Sequence, residues 1–463
     1  MDLMLSFRLA LSASALRGPS WSPRALFPPG TSGLWLDPSQ RPALFQDAAG
    51  TIPAIAPGDP VGLVHDLGGR GNHASQATAD ARPTLARHPA SGLRQLLPVS
   101  TSFAPWSGIA ASGVAGAAIG AGGALTMSKL IENTEDRAHY LQYFLTTTVG
   151  KAYTLSVVAK AAERSVLQLL LPASAFGSNM AGFFDLTNGA SIIRAGASGG
   201  AIPLGDGFYR CWVSAPASAE VSVDLQIRAH TTYADTLAGY QGDGVSGLYI
   251  DTPQIEVGAA PTPYQAATSV HHVTEAGHGD VWGLRFDGID DWLATTGLIW
   301  GSDAMTVVYA ARKLGDATKG VIAEYGLASS DGSWTVGLPG APGGTWDRYG
   351  WAYSRGTSNV GAGIAATNTQ YAGPLTMVGS YRARIGTDTL IPRLNGLDLP
   401  SATGYQGSSD YASRPLRIGI SASGGAPFLG TLYGLLVVNQ LLSVTDLARA
   451  EAWMAARCGV ILP

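Results

Sequence analysis

Three carboxylates crowd one short stretch of the sequence. Asp287, Asp290 and Asp291 fall within five residues, directly after the run Leu-Arg-Phe at 284–286. Carboxylate oxygens spaced so closely suit Ca²⁺, which takes oxygen ligands from acids and backbone carbonyls. The same spacing is typical of a tight turn whose acids accept hydrogen bonds from backbone amides. The sequence therefore allows either a calcium site or a purely structural turn, and it favours the turn. It predicts no other cofactor.

These acids make a poor catalytic pair. Glycosidase carboxylates face one another across ~5–10 Å of a groove, whereas neighbours on a strand alternate between its two faces. The sequence also has no strand of the pattern Glu-x-Asp-x-x-Glu. We therefore expect a protein that is not an enzyme.

Four aromatic residues lie within eight positions of one another: Trp346, Tyr349, Trp351 and Tyr353. An aromatic face is a common platform for a sugar ring, and Tyr and Trp also dominate protein–protein contacts. In a strand, Tyr349, Trp351 and Tyr353 share one face, so packing in a core explains them equally well. The segment is a candidate glycan site with core packing as its alternative.

Two glycine motifs lack the structural setting that their chemistry needs. Gly-x-Gly-x-x-Gly at 242–247 is followed by Leu-Tyr-Ile, a strand pattern, whereas dinucleotide binding needs a helix there. Gly-x-Ser-x-Gly at 196–200 sits among small residues rather than between a strand and a helix. Both predict turns or loops. His271, His272 and His278 have no fixed ligand spacing, and their segment has the composition of a solvated linker.

Composition excludes several classes of protein. Lys and Arg number 29 against 33 Asp and Glu, and charged residues make up 13% of the 463, about half the usual fraction. Nucleic-acid binding by bulk positive charge is therefore not expected. No apolar run approaches the ~20 residues of a membrane helix, so we expect no membrane insertion. The opening segment lacks the basic residues of a secretory signal, and the two cysteines, Cys211 and Cys458, exclude a disulfide framework.

The elements that must position these residues are strands. Alternation of apolar and polar residues recurs at 153–160 and 221–228, and β-forming runs recur at 306–311, 375–382 and 432–438. Leu-Asn-Gly-Leu at 394–397 predicts a hairpin turn. The sequence predicts loop or thin-stranded chain at 108–124, where Gly and Ala dominate. It predicts one helix over 443–457, capped by Ser443.

The first residues of the chain form an extended apolar pattern. A period of two places five apolar side chains on one face of a strand. These residues are Leu3, Leu5, Phe7, Leu9 and Leu11. The segment that follows, as far as residue 33, is too polar and too broken by proline to pack by itself. An isolated strand has nothing of its own to bury against, so we expect it to add to the sheet of another domain or to a neighbouring subunit, with a frayed end as the alternative.

Three segments resemble laminin-G-like, concanavalin A-like domains. They are Gly-Leu-Trp-Leu-Asp at 33–37, Asp-Leu-Gly-Gly-Arg-Gly-Asn-His at 66–73, and Leu-Arg-Phe-Asp-Gly-Ile-Asp-Asp-Trp-Leu at 284–293. In that family the second and third are separated by a few tens of residues, and here by about 200. The resemblance therefore implies a second domain inserted between them.

The inserted segment resembles the carbohydrate-binding-module-like domain of phage structural proteins. The resemblance rests on residues 153–165, 205–211 and 240–258, while Arg-Gln-Leu-Leu-Pro at 94–98 departs from the usual opening. The implied fold is all-β, with two antiparallel β-sandwich or jelly-roll domains, an extended N-terminal arm and one C-terminal helix. The implied domains are an arm at 1–32, a laminin-G-like domain at 33–90 and 271–463, and an inserted sandwich at 91–270.

The combination resembles tail or head-appendage proteins of tailed phages and gene transfer agents. The resemblance implies a structural virion protein that is assembled in the bacterial cytoplasm, recognises host surface polysaccharide and forms a homo-oligomer. The arm would join it to other virion proteins. Two alternatives stay open: a polysaccharide-degrading glycosidase or lyase on the same fold, and a purely architectural spacer.

Overall fold

The computed structural model describes residues 21–326, 331–344, 347–357, 363–366 and 371–463. Its regular elements are almost all strands, which confirms the all-β prediction. The first five strands are β1 (Gly33–Leu36), β2 (Leu44–Phe45), β3 (Leu63–Val64), β4 (Ala74–Ser75) and β5 (Thr84–Pro89). Short 3-10 turns occur at Pro23–Leu26, Arg41–Ala43, Ala79–Ala81 and Ile385–Thr387.

The middle of the chain contains fourteen described strands and one helical turn. They are β6 (Ser107–Ile109), β7 (Ala111–Ala118), β8 (Met127–Glu132), β9 (Asp136–Arg137), β10 (His139–Thr146), β11 (Ala152–Lys160), β12 (Val166–Leu171), α1 (Ala173–Phe176), β13 (Met180–Asp185), β14 (Ala190–Ile193), β15 (Ser198–Gly205), β16 (Phe208–Pro216), β17 (Ser222–His230), β18 (Tyr240–Gln241) and β19 (Gly247–Val257). The Gly- and Ala-rich stretch therefore does form thin strands, β6 and β7.

The last part of the chain contains fifteen described strands and the C-terminal helix. They are β20 (Gln265–Ser269), β21 (His272–Glu275), β22 (Asp280–Asp287), β23 (Leu293–Leu298), β24 (Ala304–Lys313), β25 (Val321–Tyr325), β26 (Ser333–Gly337), β27 (Trp351–Arg355), β28 (Gly363–Ala366), β29 (Leu375–Arg384), β30 (Thr389–Leu394), β31 (Leu397–Asp398), β32 (Ala402–Thr403), β33 (Arg414–Ile418), β34 (Leu429–Val438) and α2 (Val444–Ala455).

Strands from the two ends of the chain build one pair of sheets. Sheet A has the order β20-β21-β5-β22-β34-β24-β29-β30-β31, with β1 also on β34 and β32 on β30. Sheet B has the order β2-β3-β4-β23-β33-β25-β26-β27-β28. One apolar core, which includes Leu34, Phe286, Trp300, Trp334 and Leu432, fills the space between the sheets. The two sheets form a β-sandwich.

Strand β34 brings the early and late segments together. β1 pairs with residues 435–438 of β34 and β22 pairs with residues 429–432, while β24 pairs along the strand. The turn at 66–73 is tied to β1 by Asp66, whose carboxylate accepts hydrogen bonds from the amides of Trp35, Gly68, Arg70 and Asn72.

The middle of the chain builds the second pair of sheets. Sheet C has the order β15-β16-β11-β19-β8-β7, and sheet D has the order β14-β13-β12-β17-β10-β6. Their shared core includes Leu155, Val213 and Leu248 from sheet C, and Leu169 and Leu225 from sheet D. This is a second β-sandwich. Strand β20 falls within the predicted insert but pairs with β21 in sheet A, and the predicted domain limits stay a prediction.

Helix α2 lies on the face of sheet A that points away from sheet B. Leu447, Ala450 and Met454 pack there against Tyr433 and Leu436. The predicted cap is confirmed, because the Ser443 hydroxyl accepts a hydrogen bond of 3.1 Å from the Asp446 amide. Among the described residues, no helix is both long enough and apolar enough to cross a bilayer.

The sequence predicted that chain before residue 33 would not pack by itself, and Leu26 and Phe27 are buried against helix α2. They form a cluster with Leu447, Ala450 and Met454 that we call the α2 cluster. The histidine segment was expected to be a solvated linker, but residues 272–275 form β21 of sheet A. Val273 and Glu275 alternate inward there, which gives the segment a buried face.

Turn chemistry follows the sequence at two predicted turns. Asn395 and Gly396, with φ angles of 46° and 79°, join β30 to β31, as the Asn-Gly pair predicts. The motif at 242–247 is a turn before β19, in which the Asp243 carboxylate accepts hydrogen bonds from the Val245 and Ser246 amides. Cys211 and Cys458 are buried and unbridged.

Candidate functional site

The acidic segment forms a tight turn after β22. The Asp287 carboxylate accepts hydrogen bonds from the amides of Ile289 (2.7 Å) and Asp290 (3.3 Å), and the Asp291 carboxylate accepts one from the Asp287 amide (2.8 Å). Gly288 has a φ of 79°, which suits glycine. The predicted turn is therefore present.

The same turn keeps three carboxylates within reach of one ion. One oxygen from each of Asp287, Asp290 and Asp291 lies within 4.8 Å of the others, which is the spacing that ligands about 2.4 Å from a shared Ca²⁺ would have. Asp287 and Asp290 are exposed and Asp291 is buried. Burial, more than the neighbouring Asp287 and Asp290, raises the pKa of Asp291 to about 7, while Arg285 acts in the opposite sense. Calcium would therefore compete with a proton at Asp291, and its binding stays a prediction.

The four aromatic residues of the predicted glycan site do not form one open platform. Trp351 is 4% exposed. Its ring lies against Gly337, where an added Cβ would come within 2.4 Å, and the Lys319 ammonium lies 4.1 Å from the ring centroid. Tyr349 and Tyr353 are half-buried, and Trp346 lies outside the described residues.

Trp351 and Tyr353 point away from the core between sheets A and B. Their neighbour Ala352 belongs to that core, and alternation along β27 places the two aromatic rings on the opposite face. Strand pairing continues this face across sheet B. One row of directly paired residues runs Tyr353–Thr335–Glu324–Arg417–Ala294. We call this row, with Trp292 and Trp351 beside it, the outer face of sheet B.

The centre of the outer face combines charged and aromatic groups. The Arg417 guanidinium lies over the Trp292 ring, 4.4 Å from its centroid. Glu324 is 2% exposed, and its carboxylate accepts a 3.0 Å hydrogen bond from the Thr335 hydroxyl and another from the Ala422 amide. A half-buried Tyr353 on one side and Trp292 on the other flank this polar centre. Tyr353, Trp292 and Arg417 are half-buried, so this face offers two rings for stacking and one guanidinium for hydrogen bonding, whereas Glu324 and Thr335 are buried.

Sequence reasoning missed Trp292, Glu324, Thr335 and Arg417. They lie on four segments far apart in the chain and meet only through strand register. A period-two pattern can give the face of a residue within its own strand, but not which strands are neighbours.

The remaining predicted residues either lie outside the described part of the chain or make contacts of their own. Leu3, Leu5, Phe7, Leu9 and Leu11 lie outside the described residues. His272 bonds to Thr268 and Arg87, and His278 lies 3.6 Å from Glu275. Across the described ranges, the acidic turn is the one cluster of three potential metal-ligating side chains.

No protein-family model and no curated protein matches the chain. A carbohydrate-binding module of a Ruminococcus gnavus sialidase, bound to α2,3-sialyllactose, is similar at 12% identity and a TM-score of 0.28, over 36% of this chain and 95% of that one. A heptameric pentraxin of Limulus polyphemus is similar at 13% identity and a TM-score of 0.30, over 39% of this chain and 83% of that one.

A third similar structure is a botulinum neurotoxin type C whose cell entry depends on two ganglioside molecules. It is 11% identical with a TM-score of 0.29, and the match covers 37% of this chain and 42% of that one. Likenesses this distant carry no argument about function.

Proposed function

We propose that this protein is a non-enzymatic, glycan-recognising component of a virion appendage, and that the outer face of sheet B holds the glycan. The observation that carries the glycan proposal is the row across sheet B, in which Tyr353 and Trp292 flank Glu324 and Arg417. A sugar has apolar C–H faces and a rim of hydroxyls. The half-buried rings match the C–H faces and the half-buried Arg417 guanidinium matches the hydroxyls, whereas the Glu324 carboxylate is buried.

The virion role rests on the sequence resemblance. Repetition on a particle would suit this surface, because shallow sugar sites bind weakly and several copies raise avidity by ~10²–10⁴ without new contacts.

The test is binding of the purified full-length protein to surface polysaccharide of bacterial cells, with single substitutions on the outer face. We expect Tyr353→Ala and Arg417→Met each to weaken binding by about tenfold, the loss of one stacked ring or one charged hydrogen bond. Tyr405→Ala is the matched control, because Tyr405 is 59% exposed and lies outside the row. Unchanged binding in both outer-face variants would refute this location for the site.

The enzymatic alternative has one specific observation in its favour, the Glu324 carboxylate in the row that Tyr353 and Trp292 flank. A polysaccharide hydrolase would release new reducing ends on prolonged incubation, and Glu324→Gln would abolish the release. We expect no new reducing ends. Sustained turnover that depends on Glu324 would replace the binding proposal with the enzymatic one, and particles that carry the protein but bind no glycan would favour the spacer.

A further inference from the structure

Two arginines without carboxylate partners face the junction between the two sandwiches. Arg285 on β22 and Arg312 on β24 are both paired across the strands with Thr431 on β34. Their neighbours Leu284, Ala311 and Leu432 fill the core between sheets A and B. Alternation therefore turns both arginines and Thr431 to the other face of sheet A, where the second sandwich lies.

The Arg312 guanidinium is buried and poorly satisfied, and that of Arg285 is half-buried. Arg312 is 6% exposed, donates one hydrogen bond of 3.2 Å to the Thr376 hydroxyl, and has a buried Nε without a partner. Within the described chain, neither Arg285 nor Arg312 forms an ion pair of 4 Å or less. The Thr431 hydroxyl between them is also buried and unpartnered. A guanidinium stays charged at any physiological pH, so its burial without an anion is costly.

The surrounding groups leave the charge of Arg312 without an acidic partner. Asp287 and Asp291 favour the charged form of Arg285, whereas the group that most favours the charge of Arg312 is the Tyr433 phenol. Burial, together with Arg312 and Arg285, lowers the pKa of His88 to about 3. The neighbourhood of Arg312 is therefore one in which an anion would be stabilised.

Both arginines line one cavity of about 300 Å³ between the sandwiches. Its remaining wall is mainly apolar and includes Leu96, Leu97, Tyr143 and Tyr153 from the second sandwich. The volume is at the lower end of the ~300–1,000 Å³ range of small-molecule sites. The cavity thus has a cationic floor and an apolar wall.

We propose that this cavity binds a small carboxylate with an apolar body, its carboxylate held by Arg285 and Arg312. Strands two apart are separated by ~10 Å, which lets the two long side chains converge on one anion from either side of Thr431. Guanidinium and carboxylate match in charge and geometry, and the apolar wall takes the hydrocarbon part. The site lies on sheet A, apart from the glycan surface on sheet B.

Calorimetry on the full-length protein tests the proposal with hexanoate as the probe. We expect hexanoate to bind about tenfold or more tightly than 1-hexanol, which lacks the charge, and than inorganic phosphate, which lacks the tail. Arg312→Met should weaken hexanoate binding at least about tenfold. Arg382→Met is the matched control, because Arg382 also lies on sheet A with a buried, unpartnered Nε but does not line the cavity.

A second measurement stands even if Arg312→Met does not fold. Hexanoate labelled with ¹³C at its carboxyl should show a lower pKa when bound to the unmodified protein, because two guanidinium groups stabilise the carboxylate. An unchanged or raised pKa, phosphate binding as tight as that of hexanoate, or the absence of hexanoate binding would each overturn the proposal.

Discussion

Asp291 is a buried carboxyl whose charge the fold opposes. Its pKa of about 7 lies above the ordinary 3.8, so between these values the folded protein holds a proton that the unfolded chain has lost. The stability that the folded protein gains from keeping Asp291 neutral is fully present below about pH 4 and is lost as the pH rises through 7. At alkaline pH the folded protein must carry a buried negative charge there.

Asp291→Asn should therefore change stability in a pH-dependent way. At about pH 3.5 the variant should nearly match the unmodified protein, and at about pH 8 it should be more stable by ~1–3 kcal/mol, since the amide can still accept the Asp287 hydrogen bond without a charge. Urea unfolding at both pH values measures this.

Added calcium gives the complementary readout. If the acidic turn binds Ca²⁺, the ion stabilises the unmodified protein more at pH 8 than at pH 5 and leaves Asp291→Asn nearly unaffected. An equal effect on both proteins would place calcium elsewhere, and no effect would leave the turn as a purely structural device.

Among single residues, the sequence predicted those site residues that are neighbours in the chain and missed those that only strand pairing brings together. Asp287, Asp290 and Asp291 are neighbours in the chain, so both the turn and the carboxylate cluster were predictable. Glu324 and Arg417 meet only because β25 pairs with β33, and no local pattern specifies that pairing.

Among the elements, α2 shows how local signals and packing agree. Ser443 and Asp446 satisfy one another at its start, and Leu447, Ala450 and Met454 recur on its buried face. Beyond the helix end, the Arg457 guanidinium donates a 2.9 Å hydrogen bond to the buried Asp37 carboxylate, which follows β1. The helix region thus closes onto the start of the fold.

Loss of the helix cap should cost measurable stability. Ser443→Ala removes the acceptor for the Asp446 amide and should lower the free energy of unfolding by ~1 kcal/mol. Ser443→Asp keeps an acceptor at this position and is the matched control. Guanidinium unfolding followed by circular dichroism measures the free energy of unfolding of both variants. An equal decrease in the two would show that the hydrogen bond to the Asp446 amide contributes nothing.

Strands with clear alternation were predicted well, and the weakly patterned ones were not. β11 and β17 coincide closely with their predicted positions, because their apolar residues recur at a period of two, and β24 was predicted from its β-forming run. β21 was missed, because its histidines and acids hide the alternation, and its strand character comes from pairing with β5 and β20.

For the whole molecule, docking through the N-terminal segment is a prediction that a deletion tests. Trp21, Leu26 and Phe27 belong to the α2 cluster, so a clean deletion must stop before them. Removal of residues 1–20 should leave the unfolding transition within about 0.5 kcal/mol of the full-length value. The same deletion should abolish incorporation into particles.

Sedimentation of particles assembled with the truncated protein measures incorporation. The control replaces residues 1–20 by a polar linker of equal length, which separates the apolar pattern from mere chain length. Incorporation of the truncated protein at the normal level would refute docking through this segment.

The overall architecture was predictable only in part. Sandwich folds followed from strand patterns, while the nesting rested on motifs at 66–73 and 284–293 that lie far apart in sequence. The junction cavity was not predictable, because Arg285, Arg312 and Tyr153 come together only when the two sandwiches pack.

The double passage of the chain between the sandwiches has a mechanical consequence. Residues 91–96 lead into the second sandwich and residues 258–264 lead out, and Gln265 ties the two by accepting hydrogen bonds from the Arg94 and Gln95 amides. A tensile load on the second sandwich is therefore divided between these two segments of the chain. A protease that cuts one of the two segments leaves the other intact, so the second sandwich stays covalently attached after a single cleavage.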